Sequence, residues 1–221
     1  MDGRSRAEED LRVIRTLMER ATVYRAISAP TALVAGLLSV LAAGATYLNN
    51  ETGLTLGRVI SSREFALLWI AVLFLSLAAN TLFVRREACR TGRPFVSPAM
   101  KLTLRAIAPC LLIPTAVTGW FFGTGYLGNQ ELFLVIVWVG FYGLALLSTG
   151  LFAPRSLVLL GWAFLLTSVA VPTIDRLVSE DFSPGLPNFV MAGTFGFYHL
   201  VYAACTWPRK RAIITEQFAA E

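Results

Sequence analysis

Charge is what this chain has least of. Only 15% of its 221 residues are Asp, Glu, Lys or Arg, while 56% are hydrophobic, and the mean hydropathy is +0.63. Soluble domains carry about 25% charged residues because a water-facing surface must be covered with them. A soluble fold is therefore excluded as the main architecture. Histidine is nearly absent, with His199 alone, and there are only three cysteines, Cys89, Cys110 and Cys205. Three thiols with no CxxC spacing give neither a disulfide framework nor a zinc site. One histidine cannot supply the three or four ligands of a metal centre, so no metal is expected. No cofactor is expected either. The one route to haem, a bis-histidine site shared by two copies through His199, is disfavoured.

Catalytic signatures are missing too. The apolar runs hold no paired carboxylates, no lysine suited to a Schiff base and no acid at mid-membrane to relay protons. Walker loops and histidine-rich boxes are absent, and Ser148 and Ser168 lack a helpful local context. These absences lower the standing of catalysis and of ion-coupled transport.

What the chain does have is long apolar runs. Six are marked, at about 26–48, 65–84, 104–122, 132–152, 156–171 and 188–207. About 20 apolar residues are needed to cross a hydrocarbon core of roughly 30 Å as a helix. Ten-residue alternation, the sign of a membrane β-barrel, is missing. The expected fold is all-α: an integral membrane bundle of six transmembrane helices over 26–207, preceded by an amphipathic helix at 1–25 and followed by a tail at 208–221. Pro154 and Pro172 are expected to close the fourth and fifth spans. The few residues between those two spans force an antiparallel hairpin.

Orientation follows from Lys and Arg alone. The tail residues Arg4, Arg6, Arg12, Arg15, Arg20 and Arg25 would share one side with Arg85, Arg86, Arg90, Arg93, Lys101, Arg105, Arg155, Arg209, Lys210 and Arg211. Only Arg58, Arg63 and Arg176 fall on the other. Both termini are thus expected in the cytoplasm, and the membrane is expected to be the bacterial cytoplasmic membrane. No cleavable signal peptide is expected, since the opening residues are polar.

Within residues 5–25, Ser5 and Glu8 have capping-box spacing, and acids crowd the first turn. Leu11, Ile14 and Met18 then form an apolar stripe opposite Arg12, Arg15 and Arg20. Such a stripe either lies on the membrane surface and bundle or docks a partner or a second copy. Direct nucleic-acid binding is not expected, because acids interleave the basic residues.

Polar groups at membrane depth are few and each is a candidate site. His199 lies about midway along the sixth span, where Ala192, Gly196, His199 and Ala203 would share one helical face. It is expected to face a neighbouring helix, either as a hydrogen-bonded structural group or as a ligand- or proton-handling one. Tyr198 and Tyr202 flank it, and Trp138, Phe141 and Tyr142 could add walls to a pocket. Asn80 in the second span could bond across helices. Arg105 opens the third span, which contains Pro109 and Pro114, so it either snorkels to the interface or guards a kinked cavity. Trp120, Phe121, Phe122 and Trp207 are expected as interface anchors.

Two segments carry a resemblance. Glu9 to Arg20, with Asp10-Leu11, Ile14-Arg15 and Met18-Glu19, resembles a "DLxxIRxxME" opening. Phe195-Gly196, His199 and Tyr202-Ala203 resemble an "FGxxHxxYG" ending. Both are similar to an uncharacterised family of bacterial membrane proteins. That resemblance implies six spans and a histidine in the last, and implies no activity. The functional expectation is a non-enzymatic sensor, regulator or assembly subunit, in contact with membrane lipids and with a homo-oligomeric or protein partner through the N-terminal helix. A small-molecule or lipid transporter or channel with a cavity near His199 is the alternative. A lipid-active enzyme is the second alternative.

Overall fold

The computed structural model describes Glu9 and residues 29–52, 59–92, 96, 98–124, 131–151, 153–178 and 185–207. The apolar stripe of Leu11, Ile14 and Met18 lies outside the described residues, as does the tail beyond Trp207. Six helices among the described residues are long and apolar enough to cross a membrane. They are α1 (Ala29–Thr52), α2 (Ser62–Thr91), α3 (Pro98–Thr124), α4 (Glu131–Ser148), α5 (Arg155–Val178) and α6 (Leu186–Thr206). The protein is an all-α membrane bundle. Strands are absent among the described residues. The C-terminus of α2 and the start of α3, with Arg85, Arg86, Arg90, Lys101 and Arg105, form the basic end of the bundle.

Local chemistry sets the helix boundaries. At the start of α2, the Glu64 amide donates to Ser61 Oγ at 3.4 Å, and the Ser61 amide donates to Glu64 Oε2 at 2.9 Å. This reciprocal cap satisfies two amides that a helix start leaves unpaired. At the other end Gly92 takes φ 63, a left-handed conformation that glycine adopts without Cβ strain. Between these caps α2 runs for 30 residues, about 45 Å at 1.5 Å per residue. It overshoots the hydrocarbon core at both ends.

Several boundaries differ from the sequence reading, and two of the differences have a local cause. Pro172 does not close α5, which continues to Val178 with Pro172 inside it. A membrane helix tolerates such a proline because neighbouring groups re-satisfy the freed carbonyl. Helix α4 stops at Ser148, short of Phe152. It tightens through Thr149 N–H to Leu146 O and Gly150 N–H to Leu147 O, and the Pro154 carbonyl then accepts from Leu157 to start α5.

The tightest packing is α4 against α5. A Cβ on Gly143 would lie 2.8 Å from both the Gly161 carbonyl oxygen and the Leu165 nitrogen, so the two backbones touch here. The second close crossing joins α1 and α6. A Cβ on Gly36 would meet Leu200 at 2.8 Å, and one on Gly196 would meet Val40 at 2.8 Å. Helix α2 lies against α1, and α3 against α4. Ala66, Phe121 and Leu134 join α2, α3 and α4 near the end opposite the basic one. Phe121 is therefore core, at 1% exposure, and not the interface anchor expected of it. Its neighbour Trp120 faces outward. Large apolar side chains stay exposed along α2 and α3, among them Leu73, Phe74, Leu75, Leu77, Leu104, Leu112 and Ile113. That is the face a bilayer covers.

Candidate functional site

Helix α6 is not uniform. Residues Ala192–Tyr198 form a π-helix between α-helical Leu186–Met191 and His199–Thr206. Seven residues is long for a conformation found mostly as single-turn bulges, frequently at functional sites. The segment reads Ala-Gly-Thr-Phe-Gly-Phe-Tyr, and its two glycines lower the resistance to wide winding. Thr194 is buried and returns its hydroxyl to the Val190 carbonyl at 2.7 Å.

His199 follows directly and is 7% exposed. Its Nε2 lies 2.9 Å from the Tyr142 hydroxyl of α4. Three aromatic rings pack around it. Phe195 stacks at 6.1 Å with 12° between planes. Phe164 meets it edge-on at 5.6 Å, and Tyr142 is tilted at 5.6 Å. Tyr198 packs edge-on against Phe164 at 5.5 Å, and its hydroxyl lies 2.8 Å from Thr167 Oγ1 of α5. Edge-to-face and offset pairs of this kind are the favoured ring geometries. Three helices, α4, α5 and α6, thus meet through rings and two polar bonds.

The other ring nitrogen of His199, Nδ1, is buried and makes no hydrogen bond among the described residues. The Thr194 and Phe195 backbone of the π turn lies within reach of the ring, but neither carbonyl meets Nδ1 with full hydrogen-bonding geometry. A buried donor or acceptor left unmade is costly and rare in native proteins.

The expected site residues do not form one site. His199 and Tyr198 share the ring cluster. Tyr202 is buried on the same helix. Asn80 lies elsewhere: its Oδ1 accepts from Thr31 Oγ1 at 3.2 Å, tying α2 to α1. Arg105 is exposed near the basic end of α3. The expected shared face of Ala192, Gly196, His199 and Ala203 also divides. Gly196 approaches α1, whereas His199 approaches α4. Of the rings expected as walls of a pocket, Tyr142 packs on Phe164 and Phe195, and Tyr198 packs on Phe164. Trp138 instead donates to Thr118 Oγ1 of α3 at 2.9 Å, and Thr118 donates to the Pro114 carbonyl at 2.6 Å.

Tyr142 is the residue that sequence reading undervalued. It stands in the sequence as a phenol at mid-span between Gly140 and Gly143. Phe164 and Thr167 carry no such signal. As for ligation, Nε2 is engaged by Tyr142 and the ring is buried. Groups of three or more metal-ligating side chains are absent among the described residues. Comparison with known proteins finds no matching family model, no matching characterised protein and no matching solved structure.

Proposed function

We propose that this chain is a non-enzymatic membrane module, a sensor, regulator or assembly subunit of a bacterial cytoplasmic membrane with both termini in the cytoplasm. The observation that carries this reading is how the polar groups at membrane depth are used. Thr31 with Asn80, Trp138 with Thr118, Tyr142 with His199, and Tyr198 with Thr167 each bond across helices. A translocation path or an active site needs polar groups with open valences facing a cavity. Groups that satisfy one another fix helix positions instead. The resemblance at Phe195-Gly196, His199 and Tyr202-Ala203 is in keeping with this, because those positions hold the α1–α6 crossing and the ring cluster together.

The test is capture of a partner. Full-length protein carrying Leu11→Asp and Ile14→Asp should lose a co-purifying protein, or its own oligomer, while keeping its fold. Unchanged partners and oligomeric state would sink the module reading.

A second reading, a binding cavity at His199 serving transport of a small molecule or lipid, is favoured by one observation: Nδ1 is buried without a partner beside a π-helical turn. Native mass spectrometry separates the two. A bound small molecule lost in His199→Phe supports this second reading, and identical spectra for both proteins refute it.

A further inference from the structure

The end of the bundle formed by the C-terminus of α2 and the start of α3 carries more cations than anions among the described residues. Arg85, Arg86, Arg90, Lys101 and Arg105 are all exposed. Arg90 pairs with Glu87 at 3.1 Å. Arg85, Arg86, Lys101 and Arg105 have no ion-pair partner among the described residues.

Depth makes this consequential. Arg105 lies 17 residues along α3 from Phe122, about 25 Å at 1.5 Å per residue. With the opposite interface near the outward-facing Trp120, this puts Arg105 inside a hydrocarbon core of roughly 30 Å. Its surroundings on α3 are apolar, with Leu102 at 52% and Leu104 at 56% exposure. Arg85 and Arg86 follow directly on the apolar run of α2 and fall at the boundary itself. A guanidinium at that depth must reach a counter-charge at the headgroup level.

The helix termini give a second, independent sign. The first turn of α3 contains no acid, and Lys101 sits in it. The N-terminus of a helix is already electropositive and normally carries Asp or Glu. Here the free amides at the start of α3 add partial positive charge beside Lys101 instead of opposing it. The local field therefore favours an anion, and the exposed apolar flanks of α2 and α3 favour one that carries acyl chains.

We propose that this end of the α2–α3 hairpin binds the headgroup of an anionic phospholipid, with Arg105 as its deepest contact and Arg85, Arg86 and Lys101 at its mouth. The acyl chains lie along the exposed leucines of the two helices. The site is independent of the ring cluster at His199 and of the N-terminal stripe.

The experiment uses full-length protein in mixed micelles and in nanodiscs. Thermal unfolding and native mass spectrometry are read with added phosphatidylglycerol, with phosphatidylcholine, and with inorganic phosphate alone. Wild type should retain phosphatidylglycerol preferentially. Removal of one cation should weaken that preference about fivefold, since each basic residue near an anionic surface contributes about that factor. Arg105→Gln and Lys101→Gln should each show the loss, and Arg63→Gln at the opposite end should not. Arg105→Lys should keep part of the preference. Should Arg105→Gln fail to fold, Lys101→Gln and Arg86→Gln carry the same test. The proposal is overturned if wild type retains both lipids equally. It is also overturned if the glutamine variants match wild type, or if inorganic phosphate stabilises as well as the lipid.

Discussion

Removing the Tyr142 hydroxyl tests the centre of the bundle. In Tyr142→Phe the ring remains, with its contacts at 4.8 Å to Phe164 and 5.1 Å to Phe195. Only the 2.9 Å bond to His199 is lost. Interhelical hydrogen bonds in membranes contribute about 0.6 kcal/mol on average and about 1.7 at most. The loss here belongs at the upper end, because it strands Nε2 on a histidine whose Nδ1 is already unpartnered and water is excluded. The expected cost is about 1.5 kcal/mol. His199→Phe strands the tyrosine hydroxyl instead and adds some overpacking in a tight site, for about 2 kcal/mol. The double variant leaves no stranded polar group. It should be less destabilised than the sum of the singles by about 1 kcal/mol. The assay is reversible unfolding of the purified chain in lipid–detergent micelles, titrated with a denaturing detergent. Independent sites add to within about 0.5 kcal/mol. Additivity at that level would refute the Tyr142–His199 bond, and a stabilised Tyr142→Phe would refute the claim that the hydroxyl matters at all.

Three further outcomes follow from the same packing. Gly143→Val should cost about 3 kcal/mol, because its Cβ would press on the Gly161 and Leu165 backbones at 2.8 Å and backbone cannot yield as a side-chain end does. Wild-type unfolding of this variant would contradict the α4–α5 contact. Gly193→Ala should be neutral or stabilising by about 0.5 kcal/mol, since a Cβ there meets nothing within 4 Å and alanine is the better helix former. A loss above about 1 kcal/mol would mean that the π turn needs glycine's freedom at that position. Cys89 is exposed near the basic end of α2. If both termini are cytoplasmic, a membrane-impermeant maleimide should label it in opened cells and not in intact ones; labelling of intact cells would reverse the orientation.

Helix number and order were legible because apolar run length is a direct physical requirement of the bilayer. The capping box at Ser61 and Glu64 was missed, although its S-x-x-E spacing stands in the sequence, because hydropathy alone starts that span at Phe65. What stayed hidden was set by tertiary contact. Pro172 looks like a terminator until neighbouring groups make a proline in mid-helix tolerable. Phe121 beside Trp120 looks like a belt residue, and only the packing of α2 against α3 and α4 turns one ring inward and leaves the other out. Asn80 and His199 are both polar residues in apolar runs. Sequence could name each of them but could not tell that α1 answers one and α4 the other. The π segment has no local signature beyond its glycines, since wide winding is chosen by the fit of a helix between two neighbours.

That fit explains the division of α6. In an α-helix, residues three apart lie about 60° from each other, so Gly196 and His199 would look the same way. A π turn closes over one more residue, and each residue then advances less around the axis. The angle between Gly196 and His199 widens accordingly. Gly196 can then meet Val40 of α1 while His199 meets Tyr142 of α4, with Phe195 and Tyr198 filling the space toward α5. The small face of α6 allows backbone-close approach to α1, and the aromatic face spans the wider gap to the α4–α5 hairpin. A purely α-helical segment would bring histidine and glycine to the same neighbour. Either the histidine would be driven against α1 or the Gly36–Gly196 crossing would open. The unpartnered Nδ1 is then the residue of a compromise: the winding that delivers Nε2 to Tyr142 turns the opposite nitrogen toward backbone it cannot properly engage.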